Sequence, residues 1–353
     1  MKVWILIFFV LIANQANSQL KNQRCFVCHG VKNFGIVEQG KFKSLYVSRE
    51  DFEASVHSKF ACVSCHVDVR VIPHLTKPRK IHCLQCHFEG NVVGAPVTAK
   101  PEKYKESVHA KAVAKGKNAP DCKDCHTVHY VRKPEDPNSS VYKTRVPELC
   151  GGCHQTIKEE YYNSIHWAGI KRGELSSAVC SDCHREHDIL PPEDPRSSLN
   201  PKNVIGTCDK CHSDVKLMKR VGVPVTNPEA YKESFHGIAL KFGVVKAANC
   251  ASCHGYHDVL PSRDPRSPIH PANLAKTCGK CHPRANENVA KGKFHVLPGE
   301  KESGIVYYVY TFFKWFTLIV LIGLFTHIVL DLVGHIRRKR KKASESNYNI
   351  PLL

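Results

Sequence analysis
The chain has 353 residues, 18 of them Cys and 22 His, with 51 Lys and Arg against 32 Asp and Glu for a formal charge of +19. Length alone allows about two or three domains, yet all 18 Cys fall in one pentapeptide, Cys-x-x-Cys-His, which occurs nine times. A disulfide framework has no use for a His after each second Cys, and no thiol is left over as a nucleophile, so both classes are excluded.

At the start of the chain, Lys2, the apolar run 3–12 and the small-residue site Ala16-Asn17-Ser18 predict a secretory signal peptide over 1–18. The run is too short to span a bilayer as an uncleaved anchor.

The nine motifs follow in order: Cys25-Cys28-His29, Cys62-Cys65-His66, Cys83-Cys86-His87, Cys122-Cys125-His126, Cys150-Cys153-His154, Cys180-Cys183-His184, Cys208-Cys211-His212, Cys250-Cys253-His254 and Cys278-Cys281-His282. This spacing lets two thiols form thioethers to the vinyl groups of one haem while the adjacent His reaches its iron. One match could be a zinc knuckle; nine that use every Cys on an exported chain predict nine covalent haems c. The stretch from Cys25 to His295 is too short to wrap each porphyrin in its own core, so the haems must pack against one another and form most of the interior.

Three segments, 104–155, 161–214 and 231–284, repeat one pattern. Each opens on Ser-apolar-His (His109, His166, His236), passes a motif followed by x-x-His (His129, His187, His257), then an Asp-Pro turn and a second motif 28 positions after the first. Equal spacing in three copies indicates a duplicated two-haem unit. A shortened copy over 52–90 carries His57 and His74 in the corresponding places, Cys25-Cys28-His29 leads the array, and Lys293-Phe294-His295 resembles the start of a further copy. The segments 101–117 and 228–242 read as helical and alternation is scarce, so the expected fold class is mainly α and irregular with little β.

His57, His74, His109, His129, His166, His187, His236, His257 and His295 supply nine distal ligands for nine irons. A His three residues after the motif His cannot fold over the same porphyrin, so His129, His187 and His257 must serve other haems; which distal His serves which haem stays open. His82 and His270 are surplus: His82 abuts Cys83, and His270 aligns with Asn200, where no ligand exists.

Near the end, 304–336 is expected to form one transmembrane helix with Tyr307, Tyr308, Tyr310 and Trp315 at its start. The basic run Arg337-Arg338-Lys339-Arg340-Lys341-Lys342 then predicts a cytoplasmic tail, 337–353, and places 19–303 in the periplasm of a bacterial inner membrane. That position makes nucleic acid a poor partner for the basic run. The haem propionates, roughly eighteen negative charges, would offset the formal +19. His327 sits inside the apolar run with Asp331 one turn on; it hydrogen-bonds a neighbouring helix, or it ligates a b-type haem or faces a quinone shared with a separate subunit.

The chain resembles the multihaem c-type cytochromes of respiratory electron transport. Cys250-Ala-Ser-Cys253-His254-Gly-Tyr-His257-Asp258, with Asp264-Pro-Arg-Ser267 after it, is similar to the repeat of the cytochrome c3-type family. Nine haems followed by a membrane segment are similar to inner-membrane quinol-linked cytochromes of metal-reducing bacteria, in which such a domain is fused to a dihaem b-type quinol-oxidising domain. This chain carries one span instead, so the resemblance implies a b-type cytochrome or other quinol-oxidising membrane subunit as donor and a periplasmic redox protein as acceptor. Irons closed by two imidazoles have no open position for substrate, which favours an electron carrier over a catalyst. The alternative is a multihaem oxidoreductase, similar to nitrite reductases or hydroxylamine oxidoreductases, with one five-coordinate haem.

Overall fold
Pro, Gly, Asn and Asp recur every few residues between the motifs, and the helices that form between them are correspondingly short. The computed structural model describes residues 22–348 apart from 75 and 97; the expected signal peptide lies outside them. The architecture is helical and irregular, and its described strands are one antiparallel hairpin, β1 (Gly35–Glu38) and β2 (Lys41–Ser44), in register Gly35 to Ser44. The chain divides into two compact units, Met1–Lys210 with Gly243–Ala290, and Cys211–Phe242 with Lys291–Leu353.

Within the first unit the copies share their local devices. The expected helix over 101–117 is two helices, Lys100–Glu106 and Val108–Ala114, because Ser107 turns to extended backbone and its buried hydroxyl accepts from the Ala110 N–H as an N-cap. Ser164 does the same for Ile165–Lys171. In the second unit Ser234 caps Phe235–Lys241 and separates it from Asn227–Glu233. The Asp-Pro turns are closed by the carboxylate two residues back: Asp136 accepts from Asn138 N–H, Asp194 from Arg196 and Asp264 from Arg266.

Successive copies are stitched by one backbone hydrogen bond. The apolar residue of Ser-apolar-His donates to a carbonyl two residues past the post-motif His of the next copy: Val56 to Val131 at 2.9 Å, Val108 to Ile189 at 2.9 Å and Ile165 to Val259 at 2.8 Å. Each stitch carries the next copy's post-motif His back over the preceding copy. Apolar packing is thin by comparison. Val146, Ile170 and Val179 form a small buried cluster, with Cys150, Trp167 and Cys180 against it.

After three of the motifs the chain leaves its helix through a left-handed residue with extended ψ: Thr127 (φ 63°, ψ −171°), Arg185 (φ 65°, ψ −172°) and Gly255 (φ 84°, ψ −178°). Only Gly occupies that region freely; other residues hold about 1–3 kcal/mol of strain there. The Thr127 hydroxyl is also buried with no hydrogen-bond partner. Thr127→Gly is therefore expected to stabilise the haem-loaded protein by about 1 kcal/mol, after the larger chain entropy of Gly is counted. A denaturation midpoint that stays level or falls would show that Thr127 is unstrained.

The second unit ends in one helix, Ile305–Tyr348, entered through a left-handed Gly304 (φ 64°). Over Ile305–Lys342 it is long and apolar enough to cross a membrane, and its side chains there are almost all exposed. The helix does not stop at 336 but continues through the basic run, where Arg338 pairs with Asp331 at 3.7 Å.

Candidate functional site
Several motifs form a one-turn helix that begins at the first Cys: Cys62–Cys65, Cys122–His126, Cys180–His184 and Cys250–His254. An i, i+3 spacing puts the two thiols on one face. The start of the turn is tied from the residue before it. The Asp124 carboxylate accepts from Asp121 N–H, Asp182 from Val179, and Ser252 Oγ from Asn249. The Tyr104 and Tyr161 hydroxyls donate to Pro120 and Ala178 carbonyls, two residues ahead of Cys122 and Cys180, at 2.8 Å each.

Six motif histidines each face a second imidazole from elsewhere in the chain. Ring centres are 6.1 Å apart for His29 and His74, 6.1 Å for His57 and His87, and 6.2 Å for His66 and His129. They are 6.3 Å apart for His109 and His154, 6.0 Å for His126 and His187, and 6.1 Å for His184 and His257. Two metal–nitrogen bonds of about 2 Å, with both ring radii added, call for about 6 Å between centres. The donors thus fit an iron held between two imidazoles, its other positions taken by a porphyrin, and the flanking thiols fit covalent attachment. They do not supply the four ligands of a structural zinc; among the described residues no three His, Cys, Asp or Glu gather to hold a bare ion.

The pairs follow one rule. The second motif of a copy faces that copy's own Ser-apolar-His (His87 with His57, His154 with His109), and the first motif faces the post-motif His of the next copy (His66 with His129, His126 with His187, His184 with His257). The leading motif takes His74. Equal spacing in the sequence could not reveal this offset; the stitches create it.

The far nitrogens are held as ligating imidazoles require. His29 Nδ1 lies 2.8 Å from the Leu45 carbonyl, His74 Nδ1 3.1 Å from Thr76 and His295 Nδ1 3.1 Å from Asn227. His257 Nδ1 meets the Glu160 carboxylate instead, at 3.3 Å. Burial, as the largest cause, lowers the pKa of His57, His66, His109, His126, His129, His184 and His187, with the facing imidazole adding to it in most of them, so these rings are held neutral.

Neighbouring motifs touch through their thiols. The Cys25 and Cys62 thiols lie close enough to perturb each other, as do Cys83 and Cys122, Cys150 and Cys180, and Cys208 and Cys250. Burial, with Cys25 alongside, pushes the Cys62 thiol up to about 12. Cys65 couples to Cys86, Cys125 to Cys153, Cys183 to Cys208 and Cys253 to Cys278. Motif neighbours in space are therefore motif neighbours in sequence, from Cys25 to Cys278.

The other predicted ligands occupy matching places in their elements. His166 and His236 are second in Ile165–Lys171 and Phe235–Lys241, His212 and His254 end Val204–His212 and Cys250–His254, and His282 N–H donates to Cys278 at 2.8 Å. The surplus His82 is exposed ahead of the turn Cys83–Gln85. His270 Nδ1 accepts from Ala272 N–H at 3.2 Å, as Asn200 Oδ1 accepts from Lys202 N–H in the aligned place, so both cap a turn. His327 is exposed on the long helix. Glu160 was not singled out by the sequence; its one signal is its place just before the aligned Tyr161.

The doubled CXXCH motif family matches residues 111–159. Over 97 residues the chain is 28% identical to the multiheme cytochrome MtrA of Shewanella baltica (strain OS185), a match that covers 26% of this chain and 24% of that protein. The chain thus spans about a quarter of the length of the curated relative it matches. No solved structure matches. The doubled motif and this likeness support a c-type cytochrome with several covalent haems.

Proposed function
We propose that this multihaem c-type cytochrome is a membrane-anchored electron carrier with nine bis-histidine haems, standing between a quinol-oxidising membrane subunit and a periplasmic acceptor. The observation that carries the reading is the set of six imidazole pairs with ring centres 6.0–6.3 Å apart. Bound haem supplies one-electron outer-sphere chemistry, with its potential tuned by axial ligands, burial and hydrogen bonds.

The chain's own residues do the rest. Each pair of Cys would attach one haem, and the motif His and a distal His would ligate its iron. An iron so held would have no position open to substrate. His166, His236 and His295 complete the count of nine distal ligands alongside the six already paired. Carbonyls on Nδ1 orient the rings of His29, His74 and His295 and fix Nδ1–H as the donor. Consecutive motifs in thiol contact support a single file of neighbouring carriers rather than isolated sites.

The long apolar helix and the basic run after it support an anchor with the haem-bearing segment in the periplasm and the tail in the cytoplasm. One helix cannot enclose a quinone, so a separate membrane subunit is the donor. His327, inside the apolar run of this helix, would contribute an imidazole to a b-type haem, or a polar contact to a quinone, at that junction.

The test is the full chain purified from membranes after expression with a haem-attachment system. Nine covalent haems per chain and a low-temperature EPR spectrum that is low-spin throughout are expected. A high-spin ferric signal of one haem or more would favour a substrate-binding enzyme. Protease added to spheroplasts should remove the haem-bearing segment and spare the tail; the reverse would overturn the topology. A complex that contains no acid-extractable, non-covalent haem and no quinol-driven reduction would remove the role given to His327.

A further inference from the structure
The predicted distal imidazoles do not all have the same kind of partner on Nδ1. His74 and His295 offer Nδ1 to backbone carbonyls, which are neutral. His257, which faces His184, offers Nδ1 to the Glu160 carboxylate at 3.3 Å. Among the described residues Glu160 forms no ion pair with Lys or Arg, so no basic side chain in contact offsets its charge beside His257.

The repeat provides an internal contrast. Glu160 immediately precedes Tyr161; the same place in the preceding copy, before Tyr104, is Lys103, and in the following copy, before Tyr231, it is Ala230. The two stitched junctions are built alike, Val108 to Ile189 beside His187 and Ile165 to Val259 beside His257. Lys103 lies 4.0 Å from Asp188, the residue after His187. Glu186 approaches His187 Nδ1 only to 3.6 Å and lies 4.0 Å from Lys100, while Asp188 pairs with Arg185 at 2.8 Å. Charge around His187 is thus paired off, and charge beside His257 is not.

A distal imidazole that donates Nδ1–H to a carboxylate takes on anionic character and becomes a stronger donor to its iron. That favours the ferric over the ferrous state, whose charge is lower by one. Both groups are partly exposed, at 31% and 48%, so solvent screens the interaction and its effect stays moderate.

We infer that Glu160 is a positioning residue that holds the haem on Cys180 and Cys183 at a lower reduction potential than the haem on Cys122 and Cys125, where Lys103 stands in its place. The inference rests on the bis-histidine reading above.

The test uses the haem-loaded full chain in a redox titration followed by low-temperature EPR. Glu160→Gln keeps an acceptor oxygen for His257 and removes only the charge. It is expected to raise one potential by about 59 mV, a tenfold change in the oxidised-to-reduced ratio of that haem. The other eight should stay in place, and all nine should stay low-spin. The haem that moves must be the one whose low-spin signal is lost in His257→Ala, and Glu160→Asp should restore most of the original value. Lys103→Glu should lower the potential of the haem whose signal is lost in His187→Ala. Nine unchanged low-spin potentials in Glu160→Gln would overturn the inference, as would a shift at any other haem. A high-spin iron in the unmutated protein would instead overturn the reading on which it rests.

Discussion

Replacing His187 with Ala is expected to convert one iron of the nine proposed from low to high spin and open it to carbon monoxide. His187 is the imidazole that faces His126, 6.0 Å away and within 11° of parallel. Its place is fixed by the stitch from Val108 to Ile189, which Ala leaves intact, so the change removes a ligand without moving the backbone. About one ninth of the haem should bind carbon monoxide, measured by difference spectrum and EPR integration. His270→Ala is the control. His270 spends Nδ1 on a turn, as Asn200 does, so its loss costs about 1 kcal/mol of capping and leaves the haem spectrum as it was. A His187→Ala protein that stays wholly low-spin would show that the pairing rule is wrong.

The second large effect concerns stability. Cys150→Ala with Cys153→Ala should yield a chain with eight haems that is destabilised by at least about 4 kcal/mol, the upper range for emptying a buried apolar site. Val146, Ile170 and Val179 make a small cluster, and what packs on it is Cys150, Cys180 and Trp167, the residues that border two attachment sites. The cluster is too small to hold this region by itself, so the group carried by Cys150 and Cys153 must provide much of its interior. Thermal unfolding followed at the Soret band, with limited proteolysis beside it, measures the loss. The matching change at Cys25 and Cys28 should be milder, since that motif has a neighbour on one side only. An eight-haem Cys150 and Cys153 variant that melts with the unmutated protein would refute the account.

Much of the site could be read from the sequence, because covalent haem attachment leaves a rigid signature. A Cys, a Cys three on and a His beside it mark each site, and nothing in the tertiary structure is needed to see them. The mainly helical, strand-poor architecture followed from the scarcity of alternation, and the long C-terminal helix from its unbroken apolar run. Two things lay beyond that. The break of 101–117 at Ser107 depends on a side-chain cap that competes with helix continuation, and a periodicity count passes over it. The partner of each post-motif histidine, His129, His187 and His257, depends on backbone bonds between residues as far apart as Val108 and Ile189, and on a shift of one copy that identical spacings conceal. Glu160 lay hidden for the same reason: its contact with His257 spans 97 positions and exists only after that shift.

The stitch between copies also has a bearing on how the protein is made. His187 lies 61 positions downstream of the motif His126 that it faces. A newly attached group in one copy therefore stays half-finished until the next copy has been threaded through and folded back. Each copy thus supplies the closing imidazole for the one before it. The same dependence limits how such an array can change length. Removing a whole interior copy rejoins equivalent halves and leaves every closing piece in place, whereas a cut inside a copy strands a reactive iron at the break. Length can change by whole copies, which is the pattern that three equal 28-residue spacings preserve.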